Sequence, residues 1–393
     1  MTTIRSAVCV RCPPRWLLLR VETDDGEIGW GEAIGDLHDE VENALNTIGE
    51  RVQGSTIHDI TRIIETQRKA RFWRDGPVLE TALSALEMAL WDLKGKQFGA
   101  PVHELLGGRV RERVRVYRNL WGRTPAEFAD SAKEAISQSM NAVKVSPAGP
   151  TPDITSRAML SGMVEIVQAI RDAVGPNVDL AVDLHGRMTP AASRRAIHAL
   201  APLDPFFIEE PCLPDGSASH IADLRALRTA QPVAIATGER LRSAHAFAQH
   251  LLPSPVVDII QPDLSMVGGI RAALDIGAMA EAAQVSMAPH CPYGPIQFAA
   301  SMQVAAASPA HLIQEFQSLG GAGSGGGTPG GGQNWAFDLL ENPFSIEHGH
   351  VAVPTHAGLG IQVLEERIEE HMDMWNPHPP TVWTHADGSH AEW

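Results

Sequence analysis

VDLAVDLHG (residues 178–186) carries an apolar run up to Asp183, and five further runs repeat the pattern down the chain. They are PFFIE (205–209), VAIATGE (233–239), VVDIIQPD (256–263), VSMAPH (285–290) and HLIQE (311–315). These close on Glu209, Glu239, Asp263, His290 and Glu315, at steps of 26, 30, 24, 27 and 25 residues. Amphipathic stretches such as SGMVEIVQAIRDAV and GGIRAALDIGAMAEAA lie between runs. A strand followed by a helix at this period predicts an α/β fold, a TIM-type (β/α) barrel. Upstream, VRVYRNLW (114–121) and NAVKVS (141–146) raise the strand count to eight, which closes a barrel. Polar residues at the C-terminal ends of barrel strands share one mouth, where such folds do their chemistry.

The first 112 residues do not follow that period. RWLLLRVETDDGEIGWGEAI (15–34) reads as two strands joined by a turn at Asp24-Asp25-Gly26. Helical stretches follow over 39–53, 58–73 and 78–99, the last with Leu79, Leu83, Leu86, Leu90 and Leu93 on one face. This is an α+β module preceding a barrel over 113–333. After the eighth strand, LGGAGSGGGTPGGG (319–332) holds nine glycines. It reads as a surface loop or, from its place beside a site strand, as a flap over the mouth.

The 393 residues are 44% hydrophobic and 20% charged, enough for a barrel plus a second domain. A formal charge of −16 argues against nucleic acid or an anionic membrane as partner. It leaves an acidic substrate open, because a bound cation inverts the local field. No run of 18 apolar residues occurs and MTTIRSAVCVRCPPRW has no apolar leader, so a cytoplasmic protein is expected. Cys9 and Cys12 form a lone C-x-x-C with no second pair, and are read as structural. Cys212 and Cys291 follow site motifs without the electropositive setting that activates a thiol. The tail histidines His371, His378, His385 and His390 lack metal-ligand spacing.

Asp183, Glu209 and Glu239, on consecutive strand ends, make an oxygen-rich site for a hard divalent cation, Mg²⁺ foremost. Such an ion lowers the cost of removing a proton next to a chelated carboxylate. Asp263 and His290, on the next two strands, pair as an oriented general base. His185 lies two residues past Asp183, on the same side of the strand, where an imidazole can protonate a leaving hydroxyl. Glu210 is read as a supporting partner of Glu209, and Asp258 as a residue at the strand start.

These residues resemble the enolase superfamily in its mandelate-racemase-like subgroup, and within it the galactonate dehydratases. The resemblance runs over nearly the whole chain: PPRW (13–16), VETDDGEIGWGE (21–32), ALWDLKGK (89–96), DLHGR (183–187), FIEEP (207–211), GER (238–240), IIQPDLS (259–265), GGI (268–270), APHCPYGPI (288–296), QEFQSLG (314–320) and AEW (391–393). It implies a modified barrel with a capping domain built from the N-terminal region and from the 334–393 segment returning to it. It implies Mg²⁺ on Asp183, Glu209 and Glu239, with His185, His290, Asp263 and Glu315 catalytic. Glu315 matches a glutamate that hydrogen-bonds the substrate's carboxyl end; Lys144, Ser146 and Arg15 are the expected substrate contacts. The implied reaction is dehydration of an aldonate, D-galactonate first and another aldonate as the alternative, by a dimer-based homo-oligomer. The second strand reads Lys144-Val145-Ser146 where racemases carry K-x-K, so the second lysine base is missing. Ser146 replaces the usual Asn, and the SPAGPTPD and glycine-rich loops also depart, which places the exact substrate in question. Epimerisation, cycloisomerisation and simple sugar-acid binding are the remaining rivals.

Overall fold

A computed structural model describes residues 2–214, 217–230, 232–316, 339–377 and 382–392. The glycine-rich stretch and His378 lie outside the described residues. The N-terminal sheet has three antiparallel strands, not two: β1 (Ile4–Cys12), β2 (Trp16–Thr23) and β3 (Ile28–Ala33). The sequence reading missed β1 because its apolar residues are interrupted by Arg5, Ser6 and Arg11. Register pairs Leu17 with Ala33 and Leu18 with Glu32. Alternation sends Leu17, Leu19 and Val21 to a core shared with helices α1 (His38–Val52), α2 (Ile60–Lys69) and α3 (Pro77–Phe98). Trp16, Leu18 and Trp30 join the barrel core instead, so both faces of the sheet are buried.

Helix α3 is also buried on more than its leucine face. Leu83, Leu86, Leu90 and Leu93 are fully buried, but so are Thr81, Ser84 and Asp92. Gly31 explains the closeness of the packing: a Cβ there would run into the backbone oxygen of Ala85. On its far side Glu87 accepts from the backbone N–H groups of Ile270 and Arg271, at 2.7 and 2.9 Å, and so docks α3 on a barrel helix.

Eight parallel strands follow: β4 (Arg113–Asn119), β5 (Ala142–Val145), β6 (Asp179–Asp183), β7 (Ile208–Glu209), β8 (Ile235–Thr237), β9 (Ile259–Ile260), β10 (Ser286–Met287) and β11 (Gln314–Phe316). They pair in chain order, and β11 returns to β4. A parallel bridge from Met287 to His311 closes the ring. Hydroxyl caps at Thr124, Ser156, Thr189 and Ser243 start four of the intervening helices.

The C-terminal segment then crosses the molecule. Its hairpin of β12 (Ile346–Glu347) and β13 (His350–Ala352) adds antiparallel to the start of β4. Further on, the Asn376 N–H donates to Pro14 O at 2.8 Å, and Trp375 meets the His38 ring edge-on. The segment thus reaches the capping domain. Among the described residues, no helix is long and apolar enough to cross a membrane.

Candidate active site

One residue from each barrel strand or its flank plugs the interior: Tyr117, Ala142, Ala181, Phe207, Ala236, Ile259, Ala288 and Ile313 form a single cluster. Side chains alternate along a strand, so the residue two further on belongs to the next rung toward the mouth. That rung reads Asn119, Lys144, Asp183, Glu209, Gly238, Gln261, His290 and Glu315. Seven of these are polar, and Lys144, Asp183, Glu209, Gln261 and Glu315 are buried, with Asn119 bonded to Glu315 and Gln261 to Glu209. Glu239 is the member off the count. Gly238, at φ +137°, turns the chain out of the strand, and a Cβ there would meet Phe247 at 2.8 Å.

Lys144 is the cation at the centre. Its Nζ donates to Glu209 Oε1 at 2.6 Å and lies 3.3 Å from Glu315 Oε1. Burial works against its charge, but Glu209 and Glu315 outweigh burial and hold it protonated. Glu209 takes a second bond from Gln261 Nε2 at 2.7 Å. Burial lifts Glu209 to about 8, Lys144 opposing this and Asp183 and Glu239 adding to it. Asp183 accepts the His185 N–H at 2.7 Å; burial lifts it to about 6, with Lys144 opposing and Glu239 adding. Glu239 Oε2 lies 3.4 Å from His290 Nε2, and its Oε1 is 3.7 Å from Arg240 Nε.

Three buried carboxylates whose charges penalise one another form a donor set suited to a hard divalent cation. Among the described residues, no three Asp, Glu, His or Cys side chains already converge closely enough to enclose one. Lys144, Gln261, the His185 N–H and His290 hold these oxygens instead. Each carboxylate carries about four lone-pair sites, so these contacts leave acceptor capacity for an ion.

The two histidines are wired oppositely. His290 Nδ1 lies 2.7 Å from Asp263 Oδ2, an acceptor, so Nδ1 keeps its proton and Nε2, 3.4 Å from Glu239 Oε2, is the nitrogen that gains or gives up one. His185 Nδ1 lies 2.7 Å from Arg187 Nη2, which only donates, so its Nδ1 holds the lone pair and Nε2 the proton. Burial pushes His185 down to about 4, and Arg187 and Arg240 push the same way. His290 is lifted to about 10: burial opposes its charge, but Glu239, Asp263 and Glu315 prevail. His185 also sits at φ +58°, a left-handed conformation that turns its ring away from the strand path.

The remaining expected site residues take supporting positions. Glu315 accepts from Asn119 Nδ2 and from the Cys291 N–H, each at 2.7 Å. Burial works against its charge, but Lys144 and His290 hold it at about 2. An ionised carboxylate accepts and does not donate, so Glu315 orients Lys144 and Asn119 as it stands. The Ser146 hydroxyl donates to Asp183 O at 3.1 Å and lies 3.3 Å from Arg187 Nη1. Arg15, half-buried on the capping side, has burial working against its charge and Asp36 supporting it. Glu210 braces the turn carrying Glu239 by accepting from Thr237 Oγ1 and the Gly238 N–H. Asp258 pairs with Arg228 at the strand start, outside the site. Asn119 and Gln261 were missed, although counting two past the plug finds both. Arg187 stands inside DLHGR, and no sequence signal marked the Trp383 ring that covers it.

The family models for the mandelate racemase/muconate lactonizing enzyme N-terminal domain and the enolase C-terminal-like domain match residues 3–107 and 127–367. A D-galactonate dehydratase of Variovorax paradoxus is 37% identical over 388 residues, covering 98% of each chain. The D-galactonate dehydratase of Verminephrobacter eiseniae is 38% identical over 390 residues, again covering 98% of each. An enolase from Agrobacterium radiobacter, solved with Na and L-malate bound, superposes with a TM-score of 0.88 at 27% identity over 99% of both chains. With eight parallel strands, a capping sheet and this rung of acids and bases, the chain belongs to the mandelate racemase/muconate lactonizing enzyme family of the enolase superfamily.

Proposed function

We propose that this enzyme is a hydro-lyase that dehydrates D-galactonate to a 2-keto-3-deoxy acid. The observation that carries the reading is the opposite wiring of His290 and His185, which supplies one base and one acid to the same mouth. Full-length similarity to D-galactonate dehydratases supports the substrate.

Asp183, Glu209 and Glu239 would hold Mg²⁺. The chemistry such an ion supplies is neutralisation of the negative charge that builds at the substrate's carboxyl end. Lys144 adds a fixed positive charge there, kept in place by Glu209 and Glu315. His290 Nε2 takes the C2 proton as its Nδ1–H stays on Asp263. His185 passes its Nε2 proton to the C3 hydroxyl as the C3–O bond breaks and water leaves. Arg187, on Nδ1, offsets the charge left on that ring, so a neutral imidazole serves as the acid. The resulting enol tautomerises to the ketone. Arg15, on the capping side, is the proposed contact for the distal hydroxyls of the aldonate, with Tyr293 beside it.

A second reading keeps this chemistry on another aldonate. It is favoured by Ser146, whose hydroxyl is already engaged by Asp183 O and Arg187. A dimer-based homo-oligomer is supported by Phe72 and Trp73, stacked edge-to-face and 89% and 85% exposed. Four free cysteines accord with a cytoplasmic setting.

The deciding experiment is turnover with Mg²⁺ over a panel of C4–C6 aldonates, detecting 2-keto acid. Preference for D-galactonate over its epimers supports the first reading, and preference for a different acid supports the second. Silence across the panel overturns both.

A further inference from the structure

The chain's last described hairpin comes back to the barrel mouth. Trp383–Thr384 pairs antiparallel with His390–Ala391, and the Trp383 ring centre lies 4.5 Å from the Arg187 guanidinium carbon. Arg187 is buried to within 9% of full exposure loss. Its Nη1 donates to Ala148 O at 2.7 Å, and its Nη2 donates to His185 Nδ1 at 2.7 Å. Its Nε is buried with no hydrogen-bond partner, so two terminal nitrogens and the indole face fix the guanidinium plane. Arg187 only donates, so the His185 nitrogen it faces, Nδ1, is the one that accepts.

We propose that Trp383 is a positioning residue for water loss: by covering Arg187 it holds the guanidinium on His185 Nδ1 and keeps the ring proton on Nε2. This rests on the reading of His185 as the proton donor to the leaving hydroxyl. The tail hairpin therefore acts on the elimination half of the reaction and leaves the His290–Asp263 half alone, since that pair makes its contacts through Gln297, Ser265 and Glu239, none of them a hydrogen-bond partner of Arg187.

Two measurements test this on the full-length enzyme. In protein carrying ¹⁵N-histidine, with His185→Asn used to assign the signal, His185 should show the Nε2–H tautomer. Trp383→Ala should convert that signal to a tautomer mixture, and Trp383→Phe, which keeps an aromatic face, should preserve it. In D₂O with Mg²⁺ and D-galactonate, Trp383→Ala should lose about tenfold in kcat for water loss, with KM unchanged within about twofold. Recovered substrate should then carry deuterium at C2, because proton removal continues while elimination lags. Trp383→Phe should restore most of the rate. An unchanged tautomer and rate in Trp383→Ala overturn the proposal, as does a proportionate fall in exchange and elimination. Should the wild type turn over no aldonate, the functional reading fails, and the tautomer signal alone decides the role of Trp383.

Discussion

Gln297 donates its side-chain amide to Asp263 Oδ1 at 2.7 Å, on the oxygen that His290 does not use. The Ser265 N–H shares that oxygen at 2.7 Å. Asp263 is thus fixed at both oxygens, and its bond to His290 has one direction. The capping domain takes part, because the Gln297 N–H donates to Glu32 of β3 at 2.8 Å. The sheet that looks remote from the chemistry therefore holds the N-terminus of the helix beside the base.

Gln297→Ala should weaken this arrangement without touching substrate. We expect kcat to fall about ten- to hundredfold, the usual effect of losing a partner behind a functional histidine. The thermal midpoint should move little beside that loss. Steady-state kinetics decide the matter: a variant with wild-type kcat would leave Asp263 needing no such support.

The opposite wiring of the two histidines predicts two different defects. His290→Asn should abolish both water loss and C2 deuterium exchange. His185→Asn should abolish water loss and retain exchange. Each loss of turnover should be on the order of 10²–10⁴-fold. NMR of substrate recovered from D₂O separates the cases, and exchange lost in both variants or kept in both contradicts the assignment.

Much of this was legible because a barrel repeats its rule eight times. The period from Asp183 to Glu315 gave the strands, and the strand ends gave the mouth. Asn119 and Gln261 were hidden because amides are common at strand ends, and only the plug layer shows which positions face inward. β1 was hidden by its charged residues, which face solvent on a strand paired along one edge only. Trp383 was out of reach because its contact with Arg187 spans nearly two hundred residues of chain, and no local pattern encodes such a pairing. Glu315 shows a further limit: sequence placed it in the site, but only the neighbouring Lys144 and His290 show that it stays ionised.

Metal loading should release protons. Burial lifts Asp183 to about 6 and Glu209 to about 8, and the carboxylates around His290 overcome its burial and lift it to about 10. At pH 7 the metal-free site therefore binds protons that a divalent cation must displace. Affinity for Mg²⁺ should rise with pH between about 6 and 8. Titration calorimetry in buffers of different ionisation enthalpy counts the protons. Binding that releases none, with affinity flat over that range, removes these carboxylates as the ligands.

Lys144→Met tests the cation at the centre. The variant leaves Glu209 and Glu315, both buried, facing each other without their shared positive partner. Breaking one side of a buried ion pair costs about 3–5 kcal/mol, so the urea midpoint should fall clearly at pH 7. The pH dependence has a definite sign. Although burial opposes it, Lys144 is the chief reason Glu315 is held at about 2, below its ordinary value. That stabilisation is present above the unfolded carboxylate range and disappears as pH falls through about 2. The gap between wild type and variant should therefore be full at neutral pH and narrow in acid. A gap that stays constant down to low pH would show that Lys144 contributes packing alone, and its charge would then have no part in holding Glu315 ionised beneath the substrate.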